Sequence, residues 1–164
     1  MWRVLMMTCL AGLGLTGATS AQIRFGLPTG KAPVSIKEYE EGPALLTRFV
    51  LEGESQEAWT SALEVMELSK KGQPESAADW FAAYRASGDE HCPGATWAVV
   101  QQDKNSVLYE RMTGECDGNP PQHSLSRVLY GKKQVFLLIF TTSGELSSED
   151  RDLWITTLGK ASAK

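Results

Sequence analysis

Glu90, His91 and Cys92 set a carboxylate, an imidazole and a thiol side by side, the groups on which a cysteine nucleophile or a metal site would draw. Three consecutive residues rarely converge on one reacting atom, so the bland reading is a polar loop. His123 stands beside Ser124 and Ser126, a general base next to two hydroxyls. A serine nucleophile needs a sharp elbow with oxyanion donors, however, and no GxSxG pattern is present. These are the chain's two histidines. An enzyme would therefore be a hydrolase whose site is assembled in space around His91 and His123, with Asp89 and Glu90 as carboxylates. Asp117-Gly118-Asn119 has the start of a calcium loop without the alternating oxygen ligands or the closing glutamate, and reads as a turn. No glycine-rich phosphate cradle follows a strand. Lys70-Lys71 and Lys132-Lys133 read as solvated turn residues, and Trp59, Trp80, Trp97 and Trp154 as core packing on apolar faces. No catalytic, cofactor-binding or metal-ligating residue is assigned, and no cofactor is expected.

The compartment is more legible. The chain of 164 residues opens MWRVLMMTCLAGLGLTGATSAQ, with one charge at Arg3, an apolar stretch to about Leu15 and small residues at Thr19-Ser20-Ala21. This is the pattern of a secretory signal peptide over 1–21, and its apolar run is shorter than the roughly 20 residues a spanning helix needs. Export to the periplasm or medium follows, without stable membrane insertion after cleavage. Cys9 lies inside the apolar stretch, whereas a lipid-modified cysteine would end it. Removing Arg3 takes the formal charge from −4 to −5, with both signs interspersed, which argues against nucleic acid as a partner. Cys92 and Cys116 remain. Two cysteines in an exported chain usually pair, the loop they close is worth about 3 kcal/mol, and their spacing fits no standard zinc pattern. A disulfide is the expectation.

The elements that would position these residues centre on Ser124 to Thr142, SLSRVLYGKKQVFLLIFTT, two apolar runs about a Gly-Lys-Lys turn. This is a β-hairpin whose second arm is apolar on both faces, so both faces must be covered. Ahead of it, Thr96 to Gln101 and Val107 to Met112 read as a second hairpin. Its flanking loops carry Cys92 and Cys116 and fall at one end of the sheet. Ala44 to Leu51 reads as a strand. Pro74 suits the first position of a helix with Ala77, Trp80, Phe81 and Tyr84 on one face and Gly88 as its end, followed by a loop from Asp89 to Gly94. Ser147 or Ser148 caps a last helix carrying Leu153, Trp154 and Leu158. Residues 22–43 read as an extended N-terminal segment with one short strand near Pro33 to Ile36, and 44–164 as a single domain. Glu57 to Ser69 satisfies both periods: Ala, Leu, Glu and Met favour helix, and only the resemblance below favours strand. The fold class is α+β, a mainly antiparallel β-sheet covered by helices.

A strand ending in EGE, a tryptophan-led EAWTSALEV, a helix, a cysteine loop, two hairpins with SRVLYGKKQVFLLIF and a C-terminal helix with a tryptophan resemble exported bacterial members of the Mog1/PsbP-like group, over roughly Ala44 to Ala161. The resemblance implies an α/β/α sandwich and an accessory or binding role, and it brings no catalytic motif. The functional expectation is a non-enzymatic exported domain that binds a protein or small ligand. A narrower version is an inhibitor or immunity-type protein presenting Asp89-Glu90 or Glu115 to Asp117, and the alternatives are the hydrolase above or a structural subunit of an envelope complex.

Overall fold

The computed structural model describes residues 23–28, 33–41, 44–51, 54–55, 58–116 and 118–163. The expected signal peptide over 1–21 and Asp117 of the short turn lie outside them. Nine strands and two helices follow in the order β1 (Ile23–Arg24), β2 (Pro33–Glu41), β3 (Ala44–Leu51), β4 (Ser61–Ser69), α1 (Ala77–His91), β5 (Thr96–Gln102), β6 (Ser106–Thr113), β7 (Gln122–Tyr130), β8 (Gln134–Ser143), α2 (Ser148–Gly159) and β9 (Ser162–Ala163). β2 to β8 form one seven-stranded sheet in the order β2-β3-β4-β8-β7-β6-β5, and β1 pairs with β9. Every pairing is antiparallel, so the α+β class holds.

The central hairpin is β7–β8, turning through Gly131-Lys132-Lys133, where Gly131 N–H donates to the Gln134 carbonyl at 2.9 Å. β8 lies between β4 and β7, and its alternation explains its unbroken apolar run. Val135 and Leu137 join Trp80, Phe81, Val107, Tyr109, Val128 and Tyr130 beneath α1. Phe136, Leu138 and Phe140 join Phe49, Leu63, Leu125, Leu129, Trp154 and Leu158 beneath α2. One helix thus covers each face. Each fully buried Leu, Val or Phe side chain contributes about 1.5–3 kcal/mol, so the two-sided burial of this one hairpin anchors both cores. On the α2 face Trp154 stacks on Phe140 with ring centroids 3.9 Å apart, the closest ring pair among the described residues.

Four expectations change. The segment from Glu57 does not enter the sheet at Trp59: β4 starts at Ser61, and Trp59 lies outside it with the Arg48 guanidinium 5.2 Å from its ring centroid. From Ser61 onward the ambiguous stretch is a strand, because β3 and β8 on either side supply backbone partners along its length, which outweighs its helical composition. The N-terminal segment carries a nine-residue strand, β2, rather than a short one, and it pairs with β3 as an edge of the sheet. Helix α1 begins after Ser76, whose Oγ accepts from Asp79 N–H at 3.1 Å. Pro74 stands before the helix, its carbonyl accepting from Tyr130 Oη at 2.8 Å. Gly88 does not end α1, which runs on to His91. A Cβ at Gly88 would lie 2.7 Å from Trp97 Cζ2, so this glycine is where the Trp97 ring presses against the helix. At the other helix Ser147 is the cap, as expected, accepting from Asp150 N–H at 3.1 Å.

Candidate functional site

Cys92 follows the last residue of α1, and Cys116 lies in the loop after β6. The two form a disulfide with Cα atoms 5.6 Å apart, as the cysteine count and the hairpin geometry lead one to expect. The bond ties the C-terminal end of α1 to the far end of β6. The turn beyond it closes with Cys116 N–H to Asn119 O at 3.1 Å and Asn119 N–H to Cys116 O at 2.8 Å, with Gly118 at φ +75°, a left-handed conformation suited to glycine. Gly118 and Asn119 of the short motif therefore lie in a turn next to the disulfide.

The two histidines are not brought together. His123 is on β7 in line with Leu125 and Leu129, on the α2 face, whereas His91 ends α1 on the opposite face. His91 is exposed, and its Nδ1 donates to the Ser87 carbonyl at 2.7 Å. That bond puts the ring proton on Nδ1 and leaves Nε2 as the free nitrogen of the neutral ring.

His123 is buried and belongs to a cluster that sequence spacing did not reveal. Its Nδ1 accepts from Leu146 N–H at 3.1 Å, so the neutral ring carries its proton on Nε2 and donates it to Glu110 Oε1 at 2.6 Å. Glu110 in turn receives Arg151 Nε on Oε1 and Arg151 Nη2 on Oε2, both at 2.7 Å, a bidentate fork. The Arg151 guanidinium, aided by the His123 bond, holds the Glu110 carboxyl below the usual carboxylate range against the opposing effect of burial. Both ring nitrogens of His123 and both oxygens of Glu110 are occupied. The arrangement therefore ties the start of α2 to β6 and β7. A second such tie lies at the other end of α2, where buried Arg127 donates from Nη1 to the Leu158 carbonyl at 2.7 Å and from Nη2 to Ser106 Oγ at 3.0 Å. Burial lowers the Arg127 guanidinium somewhat from its usual range, with nearby Asp103 acting in the opposite direction.

On the α1 face, a groove of about 330 Å³ opens between the C-terminal half of α1 and the ends of β6 and β7. Tyr84, Ser87 and Gly88 form the helix side, Arg111 and Thr113 the floor, and the disulfide closes one end with Asn119. Alternation along β6 puts Val107, Tyr109, Arg111 and Thr113 on this face, and the left-out side chain at Gly88 lets Trp97 pack beneath the helix. The Trp97 indole N–H donates to Asp89 Oδ1 at 2.7 Å, which fixes the ring, and the Arg111 guanidinium sits 5.0 Å from its centroid. Trp97, Tyr84, Tyr109 and Phe81 form one aromatic cluster behind the groove. Burial pushes the Tyr84 hydroxyl up, with the Arg111 charge pulling it back, so the hydroxyl stays protonated near neutral pH. What this arrangement offers is a rigid wall with hydroxyl, amide and guanidinium donors. Of the expected tryptophan roles, core packing holds for Trp80 and Trp154, while Trp97 is half-buried and supports the groove. Arg111 gave no sequence signal, because its role comes from α1 lying over β6.

Among the described residues no cluster of three His, Cys, Asp or Glu side chains is set to hold a metal ion, and no helix is long and apolar enough to cross a membrane. Comparison with protein families, curated proteins and solved structures finds no match for this chain.

Proposed function

We propose that this chain is an exported, non-enzymatic binding or accessory domain that takes a small ligand or a segment of a partner into the groove beside the Cys92–Cys116 disulfide. The observation that carries this reading is the groove itself: a concave, donor-lined surface held between α1 and β6 by a covalent clamp and backed by the Trp97 cluster. Concave sites with a few placed polar groups and a pre-formed wall are where ligands bind. An opening sequence with the features of a signal peptide, together with the disulfide, supports export. The Mog1/PsbP-like architecture is the finer fold reading, supported by an antiparallel sheet with a helix on each face and a tryptophan in the last helix.

The hydrolase alternative draws no support from the placement of His91 and His123 on opposite faces, and the Glu110–His123–Arg151 cluster is engaged in holding α2. The test is native mass spectrometry of the mature protein after incubation with envelope extract, with Ser87→Trp as the control. Ser87 is exposed and lines the groove, so the indole fills it without disturbing a core. A stoichiometric ligand or partner carried by the parent and lost from Ser87→Trp is the expected result. A partner retained equally by both proteins would place recognition elsewhere.

A further inference from the structure

Arg111 lines the groove without an oxygen acceptor among the described residues. Arg127 and Arg151 each donate to oxygen acceptors, and Arg48 meets Glu64. Arg111 has one contact of this kind, the face of Trp97. No acceptor takes its N–H groups among the described residues, and its Nε is shielded from solvent without a partner. A guanidinium carries five donors in a planar fork, and the terminal nitrogens of one that has no acceptor within the protein are open to a bound one.

The surroundings select the acceptor. The groove lining contains no described carboxylate: Ser87, Thr113, Asn119, Gln122 and the Tyr84 hydroxyl are neutral, and His91 and Arg111 are its ionisable nitrogen groups. Asp89 is committed to the Trp97 indole and to Arg85. Glu115 lines the neighbouring hollow on the other side of the disulfide. The carbonyls that end α1 do not compete for the guanidinium, because Ser87 O receives His91 Nδ1 and Gly88 O receives Cys92 N–H. Among its described residues the lining is donor-rich and its fixed charge is the Arg111 guanidinium, in a chain whose formal net charge is −4.

We infer that the groove takes a carboxylate-bearing ligand, with the carboxylate received by the terminal nitrogens of Arg111 and the remainder of the ligand lying along Thr113, Asn119 and Gln122. The Trp97 face restrains the guanidinium before the ligand arrives, and a planar carboxylate matches its fork in a bidentate way that a neutral amide does not. The inference rests on the groove-binding reading above and specifies the class of ligand.

The experiment is an NMR titration of the oxidised protein, following the Arg111 Nε–H and Trp97 indole N–H signals. The probes are N-acetylphenylalanine, its neutral amide N-acetylphenylalaninamide, and inorganic phosphate. The expected result is saturable perturbation of both signals by the free acid, with the amide at least about tenfold weaker, and loss of the Trp97 response in Arg111→Gln. Equal response to the acid and the amide, a stronger response to phosphate, or no response to the acid at millimolar concentration would overturn it. The parent spectra alone decide these points if Arg111→Gln fails to fold. The two readings fail separately. An extract ligand displaced by Ser87→Trp but retained by Arg111→Gln keeps the groove and rejects the carboxylate. An extract ligand indifferent to Ser87→Trp rejects the groove.

Discussion

The residue that most clearly shows how a site can look catalytic and act structurally is His123. In the sequence it stands beside two serines, the setting of a general base. In the fold its two nitrogens are occupied by Leu146 N–H and Glu110. Nothing in the local sequence links it to Glu110 or to Arg151, which come from other elements, so only the pairing of β6 with β7 and the docking of α2 show the cluster. Replacing His123 with Ala leaves the Leu146 N–H and one Glu110 oxygen short of a partner in a buried site. The expected loss is about 2–3 kcal/mol in urea unfolding, and a loss below about 0.5 kcal/mol would mean the cluster is not holding α2. The same cluster sets an acid response. Because Arg151 and His123 depress the folded Glu110 carboxyl, its stabilising contribution is complete above the ordinary carboxylate range and disappears as the pH falls through the lowered folded value. Urea midpoints of the parent and Glu110→Gln should therefore differ most near neutrality and converge in acid. A gap independent of pH would contradict this.

At the scale of elements, the strands were the most readable part of the chain and their termini and edges the least. The β7–β8 hairpin announced itself through a two-faced apolar run about Gly131-Lys132-Lys133, and the β5–β6 hairpin through its turn. β4 did not, since a strand rich in Ala, Leu, Glu and Met is decided by neighbours that the local sequence does not name. Gly88 misled for a related reason: glycine commonly follows a helix, but here it sits inside α1 because Trp97 occupies the volume of its missing side chain. The substitution Gly88→Ala tests this. Alanine gains about 1 kcal/mol of helix propensity but meets a ring fixed by Asp89 and by the aromatic cluster, at an overpacking cost of about 1–3 kcal/mol. We expect a net loss of up to about 2 kcal/mol in thermal unfolding, with a shifted Trp97 indole signal. A variant at least as stable as the parent with that signal unchanged would show that the contact is slack.

For the whole molecule, the cysteine count indicated the clamp, and pattern indicated the α+β class. The groove was out of reach because it is made by apposition: Tyr84, Gly88 and Arg111 acquire a common role only when α1 crosses β6 and the disulfide fixes that crossing. The clamp should also matter energetically. Closing the loop between residues separated by 24 positions is worth about 3 kcal/mol by the chain-entropy estimate, so reduction should lower the unfolding free energy by an amount of that order and loosen the groove signals before the α2 face responds. The most direct measurement is thiol titration of the denatured protein recovered from an exporting host, before and after reduction. The account predicts no free thiol before reduction and two after it, Cys9 having left with the signal peptide. Two free thiols before reduction would contradict the covalent wall on which the groove depends, and three after reduction would contradict cleavage.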